Sequence, residues 1–464
     1  MTKRLDLLPR GILAASVLLA LPGWALAQTS GVLFPPSIAI TNYDRVPVGQ
    51  EEALEAGAFV ARVGDTASGW YNPAGMATLT RTAIGASASG FETDVLSLEG
   101  IGKQRGGGMS IYQLPSFFGA VLGKEVIDSE RWRIGFTITK PTSWNQEIVG
   151  GAAGSTRISY SSHVGLSTLL PMFSASYSPF ASLRFGAGIG LAITSLSEIQ
   201  TFSEQDATTT TATAFLRNLD GKGSIWNLTG TLGVQWDVTE HIVVGAMMRT
   251  PGLKILQSGS LTYQNVDNRS TQGLVPGPWS QTFFTDREAT FDYRLPLDVS
   301  VGLAWRSKAF EAEFDLRYHS AISEYTLLAS NQPVRITTTD PATGLPVYTT
   351  QPFPGVNNGA RTVWNYAFGG RYTLNEVWSF HSGFFSDASP TNAAGANLFR
   401  SVDMYGITAG AKLRGDHLSG SFGLGYSWGS SPTFQFGDSV TGNPINTKLT
   451  ITSLSLLYAV AYKF

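Results

Sequence analysis

A period-two alternation that recurs along most of the chain constrains its fold more than any other feature. In HLSGSFGLGYSW, Leu418, Phe422, Leu424, Tyr426 and Trp428 share one face, with Ser419, Ser421, Gly423, Gly425 and Ser427 on the other. Such spacing describes a β-strand with an apolar, aromatic side and a small, polar side. FEAEFDLRYHS sets Phe310, Ala312, Phe314, Leu316 and Tyr318 against Glu311, Glu313, Asp315, Arg317 and His319. DVSVGLAWR and DMYGITAGAKLR behave alike.

Segments of this kind number about fourteen, and their connections alternate in length. Short ones fall at Pro179-Phe180-Ala181, Val238-Thr239-Glu240, Ser307-Lys308, Leu374-Asn375-Glu376 and Gly415-Asp416. Long, polar ones are expected at 142–167, 198–223, 263–288, 321–359, 388–401 and 430–447. An even strand number with tight turns at one end and long loops at the other describes a bacterial outer-membrane barrel. Its apolar face then meets lipid and its polar face the lumen. The sheet must close, because no edge can stay unpaired in hydrocarbon. Trp226, Trp236, Trp305, Trp364, Trp378 and Trp428 fall on the lipid-facing phase near strand ends, where aromatic girdles belong.

Composition agrees. Only 14% of residues are charged, Gly numbers 51, and the net charge of −2 implies no nucleic-acid partner. Cysteine is absent, which excludes disulfides and cysteine metal sites. Residues 1–27 read as a signal peptide: Lys3, Arg4 and Arg10, then an apolar run interrupted by Pro22-Gly23 and closing on Ala25-Leu26-Ala27. Past Gln28 no apolar run is long enough for a transmembrane helix. The five histidines are scattered, without an H-E-x-x-H pair or a G-x-S-x-G elbow, so no catalytic, cofactor or metal residue is assigned.

Residues 28–78 break the barrel rhythm and read as turns and a short alanine-rich helix. There Asp65-Thr66-Ala67-Ser68 precedes Tyr71-Asn72-Pro73-Ala74-Gly75-Met76. Farther on, Leu295-Pro296 opens a strand ending GLAWR, Asp315 and Tyr318 lie in the next, and FGGRYTLNEVWSFHSGFFSDASP closes on Asp387, Ser389 and Pro390. This ordered set, spanning essentially all of the chain past Gln28, resembles the FadL-like family of outer-membrane transporters of long-chain fatty acids and other hydrophobic compounds.

The resemblance implies an all-β, transmembrane antiparallel barrel of fourteen strands over 79–464, its lumen plugged by an N-terminal hatch over 28–78. Asn72, Pro73 and Ala74 match the family's hatch motif. It also implies capture of a hydrophobic ligand by the loops, binding inside, and exit through a lateral opening beside the third strand as the hatch moves. Gly135 and Pro141 are the candidates for that opening, Pro141 standing near the upper end of a strand over 130–141. Inward apolar residues such as Val363 and Phe385 are candidate ligand contacts. The implied setting is the outer membrane, as a monomer among its lipids and lipopolysaccharide, with terminal Phe464 read by barrel-assembly machinery. A general diffusion porin is the main alternative and an outer-membrane lipid-modifying enzyme a lesser one; a porin has no need of some fifty residues before its first strand.

Inward-phase charges offer a further expectation. Arg133, Arg184, Glu311, Glu313, Asp315, Arg317, Arg371 and Lys412 point into the lumen, where charges persist if paired or hydrated. His319 and His381 share that phase.

Overall fold

The computed structural model describes residues 40–44, 48–99, 104–106, 109–110, 115–152, 156–206, 214–270, 273–340, 342–353, 355–391, 399, 401–436 and 445–464. The expected signal peptide lies outside them.

Fourteen antiparallel strands close into a barrel. In chain order they are β1 Ala83–Glu99, β2 Pro115–Leu122, β3 Trp132–Ala152, β4 Thr156–Phe180, β5 Leu183–Asp206 and β6 Ala214–Asp237. β7 comes in two pieces, Ile242–Arg249 and Leu253–Ser270, and so does β8, Gly273–Asp286 and Asp298–Arg306. β9 Phe310–His319, β10 Val363–Thr373, β11 Trp378–Asp387, β12 Asp403–Arg414, β13 Leu418–Phe436 and β14 Ile445–Lys463 complete the wall. Each pairs with its chain neighbours, and β14 returns to β1 from Ala83↔Lys463 to Glu99↔Lys448. Closure leaves no strand edge to face lipid.

The alternation sets the two faces as expected. Phe422 and Leu424 of β13 are half exposed on the outside, while a side chain at Gly423 would run into Leu54 within the lumen. Trp236 and Trp305 stand exposed beside the tight turns. Leu424→Arg should therefore cost about 2–4 kcal/mol if mid-bilayer, read as a lower unfolding midpoint in lipid. An unchanged midpoint would mean that position 424 does not contact hydrocarbon.

Strand lengths depart from the expectation. β3 continues to Ala152 and β4 starts at Thr156, so most of the stretch expected as loop 142–167 is strand. The same holds for much of 198–223, 263–288 and 430–447. Above the apolar band the outward face turns polar (Ser195, Ser197, Thr201 and Ser203 in β5), while the inner face mixes buried Leu196 and Phe202 with Glu198 and Gln200. Hydrophobic periodicity disappears there while the hydrogen-bond ladder continues. Pro141 accordingly lies within β3, at a bulge between the pairs Thr139↔Leu170 and Thr142↔Thr168, instead of near its end. A bulge tolerates the missing proline N–H.

One stretch of wall differs more. The strand expected over 289–306 is strand in the barrel only from Asp298, and the one expected over 240–262 breaks at Pro251-Gly252. Thr290–Phe291, Ile322–Ala329 and Val356–Ala360 form a separate three-stranded sheet. A hairpin of Pro333–Thr339 and Pro346–Pro352 pairs with the upper piece of β8.

Candidate functional site

The N-terminal segment is enclosed by the barrel. It contains α1 Glu51–Leu54, α2 Ser68–Tyr71 and a 3₁₀ turn over Pro73–Thr78, each too short to be stable alone. Packing supplies what local propensity does not: Val48, Phe59, Val63, Ala67 and Tyr71 are buried together with Phe117 of β2. Gly49 and Gly57 take positive φ of 105° and 75°, turning the chain before and after α1.

Asn72 fastens this segment to the wall. Its side-chain amide donates to the carbonyl of Val60 at 2.8 Å, of Val234 in β6 at 2.9 Å and of Ala246 in β7 at 3.3 Å. Its Oδ1 accepts from the Ala74 N–H at 3.1 Å, capping the turn that Pro73 begins. The wall is notched to receive it. A Cβ at Gly186 of β5 would overlap the Pro73–Ala74 peptide, and one at Gly233 of β6 the Asn72 side chain.

Nearly every inward charge named from the sequence meets this segment. Asp315 accepts from the N–H groups of Phe59 at 2.9 Å and Val60 at 3.3 Å, and Glu313 from that of Ala61. Arg62 pairs with Glu55 and with Glu313 at 3.1 Å, its guanidinium 3.9 Å over the Phe59 ring. Glu51 is held by Arg371 and Lys412, each at 3.2 Å, and Arg371 also pairs with Glu311 at 2.7 Å. His381 lies 2.6 Å from Glu55. Arg133 donates to the Leu79 carbonyl, whereas Arg184 pairs with Asp237 of the neighbouring strand.

A second cluster closes over Asp44, which contacts Arg317 at 3.1 Å, His319 at 3.0 Å and Asn365 at 2.7 Å. Burial alone would raise its pKa, yet His319 and Arg317 hold the carboxyl well below the usual carboxylate range. Beside it Arg249 pairs with Asp298 at 3.1 Å and lies 4.0 Å over the Trp70 ring. Asp44, Glu51, Glu55, Arg62 and Arg249 were not singled out from the sequence. For Glu51, Glu55 and Arg62 a signal existed: charges recurring within an alanine-rich, otherwise apolar stretch.

An interior cavity of about 90 Å³ opens between this second cluster and the wall. Tyr43, Trp70, Pro141, Leu170, Leu295 and Arg249 are among its lining. Of the candidates for the opening and for ligand contact, Pro141 reaches it and Gly135, Val363 and Phe385 do not; His319 and Leu295-Pro296, also named from the sequence, line it too. Gly135 faces the hatch-motif region instead, where a Cβ would come within 2.6 Å of the Met76 sulfur. Phe385 packs against Ala56, Ala58 and Ala367, and buried Val363 stands in register with His319; neither lines this cavity.

A closed fourteen-stranded barrel with an N-terminal segment inside its lumen has the fold of the FadL-like channels and is an outer-membrane architecture. Three solved structures make the likeness concrete. A Pseudomonas aeruginosa FadL homologue aligns at TM-score 0.56 and 14% identity, over 93% of this chain and 100% of its own. The Pseudomonas putida toluene transporter TodX aligns at 0.56 and 13%, over 91% and 100%. The Ralstonia pickettii toluene transporter TbuX gives 0.55 and 13%, over 90% and 99%. No family model and no curated protein matches the sequence.

Proposed function

We propose that this chain passes hydrophobic small molecules, long-chain fatty acids or hydrocarbons, passively across a Gram-negative outer membrane. The observation that carries the reading is the interior cavity, walled by Trp70, Leu170 and Leu295, directly beside the segment that fills the lumen. Resemblance in fold to two toluene transporters and a FadL homologue supports it. At about 90 Å³ the cavity is well below the roughly 300–1,000 Å³ of sites for drug-sized ligands, so a long-chain guest requires the segment or the wall to move.

In this reading residues 28–78 are a hatch, and Asn72, Pro73 and Ala74 are its anchor on β5, β6 and β7. The lateral opening lies beside β3, where the bulge at Pro141 weakens the wall next to the cavity and Gly135 allows a bend. Liposomes carrying the protein should take up a fluorescent long-chain carboxylate yet resist swelling in sugars. Swelling without carboxylate uptake would favour a diffusion porin. Phe118 and Ile138 are register partners on β2 and β3, and no native cysteine interferes with a disulfide placed there. That crosslink should slow uptake sharply while leaving ligand binding intact; full uptake with the disulfide verified would exclude an opening at this site.

A further inference from the structure

The wall has a second discontinuity, between β7 and β9. On the lower side Arg249↔Asp298 ends the pairing of β7 with β8, and on the upper side it resumes only at Leu261↔Asp286. Among the described residues, 250–260 and 287–297 share no main-chain hydrogen bond. The β8 chain has turned inward over this interval. Phe291 is fully buried against Gly223, on the inward face of β6, and the Tyr293 carbonyl accepts from the Asn227 side chain at 2.9 Å. Leu253, Ile255 and Leu256 of β7 are left at least half exposed.

A recess of about 370 Å³ occupies the gap, lined by Pro251, Lys254, Asp292, Arg294, Leu295 and Ile322 among others. Leu295 and Pro296 line the interior cavity as well, so these two residues form a partition between recess and cavity. The recess carries two cations against one carboxylate: Asp292 lies 3.0 Å from Arg294 and 3.7 Å from Lys254. Both cations have half-exposed side chains. At about 3.3 Å per residue and a tilt of about 40°, Leu253 stands roughly 28 Å above Ile242, at the outer boundary of the apolar band.

We propose that this recess is a side entrance: it takes an amphiphile with one apolar chain and an anionic end, and passes the chain to the cavity behind Leu295 and Pro296. Lys254 and Arg294 hold the anionic end at the polar boundary, while Pro251, Leu295 and Ile322 receive the chain. The inference rests on the transport reading above and adds a route that the bulge in β3 does not supply.

The test uses the full protein in nanodiscs and a hexadecanoate carrying a diazirine at its terminal carbon. Crosslinks are expected at positions 251–254 and 292–297. A parallel arm supplies the same diazirine chain within phosphatidylglycerol. Labelling by the phospholipid alone would make the recess a bound-lipid site and overturn the proposal. In a second measurement Lys254→Cys, modified with a bulky maleimide, should lose hexadecanoate uptake, whereas Leu232→Cys on the lipid face of β6, equally modified, should keep it. Unimpaired uptake through the modified Lys254→Cys protein would reject the entrance while leaving transport standing. Absence of uptake and of crosslinks in the unmodified protein would remove both readings together.

Discussion

Deleting residues 28–76 should leave a barrel that inserts and resists heat yet conducts small ions and leaks sugars. The ladder of β1 begins at Ala83 and runs along β2 and β14 without help from the N-terminal segment. What the segment supplies is bulk in the lumen and partners for its charges. Once it is gone, Glu313, Asp315 and Arg317 become water-lined instead of stranded, so the wall survives. Single-channel recording in planar bilayers reads the result directly. A conductance equal to that of the full chain would show that something other than this segment closes the lumen.

Arg62→Ala should act on the same element through electrostatics. Its guanidinium is almost wholly buried between Glu55 and Glu313, both equally inaccessible. Removing one partner of a buried pair costs about 3–5 kcal/mol, because the remaining charge keeps its desolvation penalty. Here two carboxylates lose their cation, and the outlet for that free energy is undocking of the segment. The variant should become sensitive to protease within residues 48–79 and pass sugars, with strand content by circular dichroism unchanged. Lys412→Ala should do much less, since Glu51 keeps Arg371. Protection equal to wild type in the Arg62 variant would mean that the segment is held by packing and main-chain bonds instead.

The wall was legible in the sequence wherever one face met lipid. Leu424, Phe314 and Val301 fixed the phase of their strands, and in β9 with it the inward direction of Asp315 and Arg317, because period two leaves only one alternative register of faces. Legibility ended where that contrast ended. In the upper halves of β3 to β6 the outward face turns polar, while apolar residues such as Trp144, Leu166 and Phe202 move to the inner face among Gln146, Thr168 and Glu198. The lipid-facing stripe that marks a strand is thus broken over residues 142–152. At 289–297 the pattern misled in the other direction: Phe291 and Tyr293 sit where a strand was expected, but they are buried inside the barrel. Partners of the inward charges were invisible for another reason. Asp315 meets Phe59 and Val60 across some 255 positions of chain, and a pattern confined to neighbouring residues carries no record of such a meeting. The Asn72-Pro73-Ala74 turn was found by resemblance, whereas the notches at Gly186 and Gly233 that receive it became apparent only with β5 and β6 in place.

The pairing of β1 with β14 bears on how such a molecule can be made at all. These strands bracket the whole wall, from Ala83 to Lys463, yet they are immediate neighbours. Before they meet, each exposes a row of amide and carbonyl groups, and every such group left unpaired in hydrocarbon costs several kcal/mol. No half-sheet of these strands can therefore rest in the bilayer core as a stable intermediate. Insertion and the zipping of the seam have to be one event, with the two free margins kept in a polar setting, or held by a template, until the final strand arrives. Closing the seam joins the most distant strands of the wall, a loop-closure cost that rises slowly with the length of chain between them.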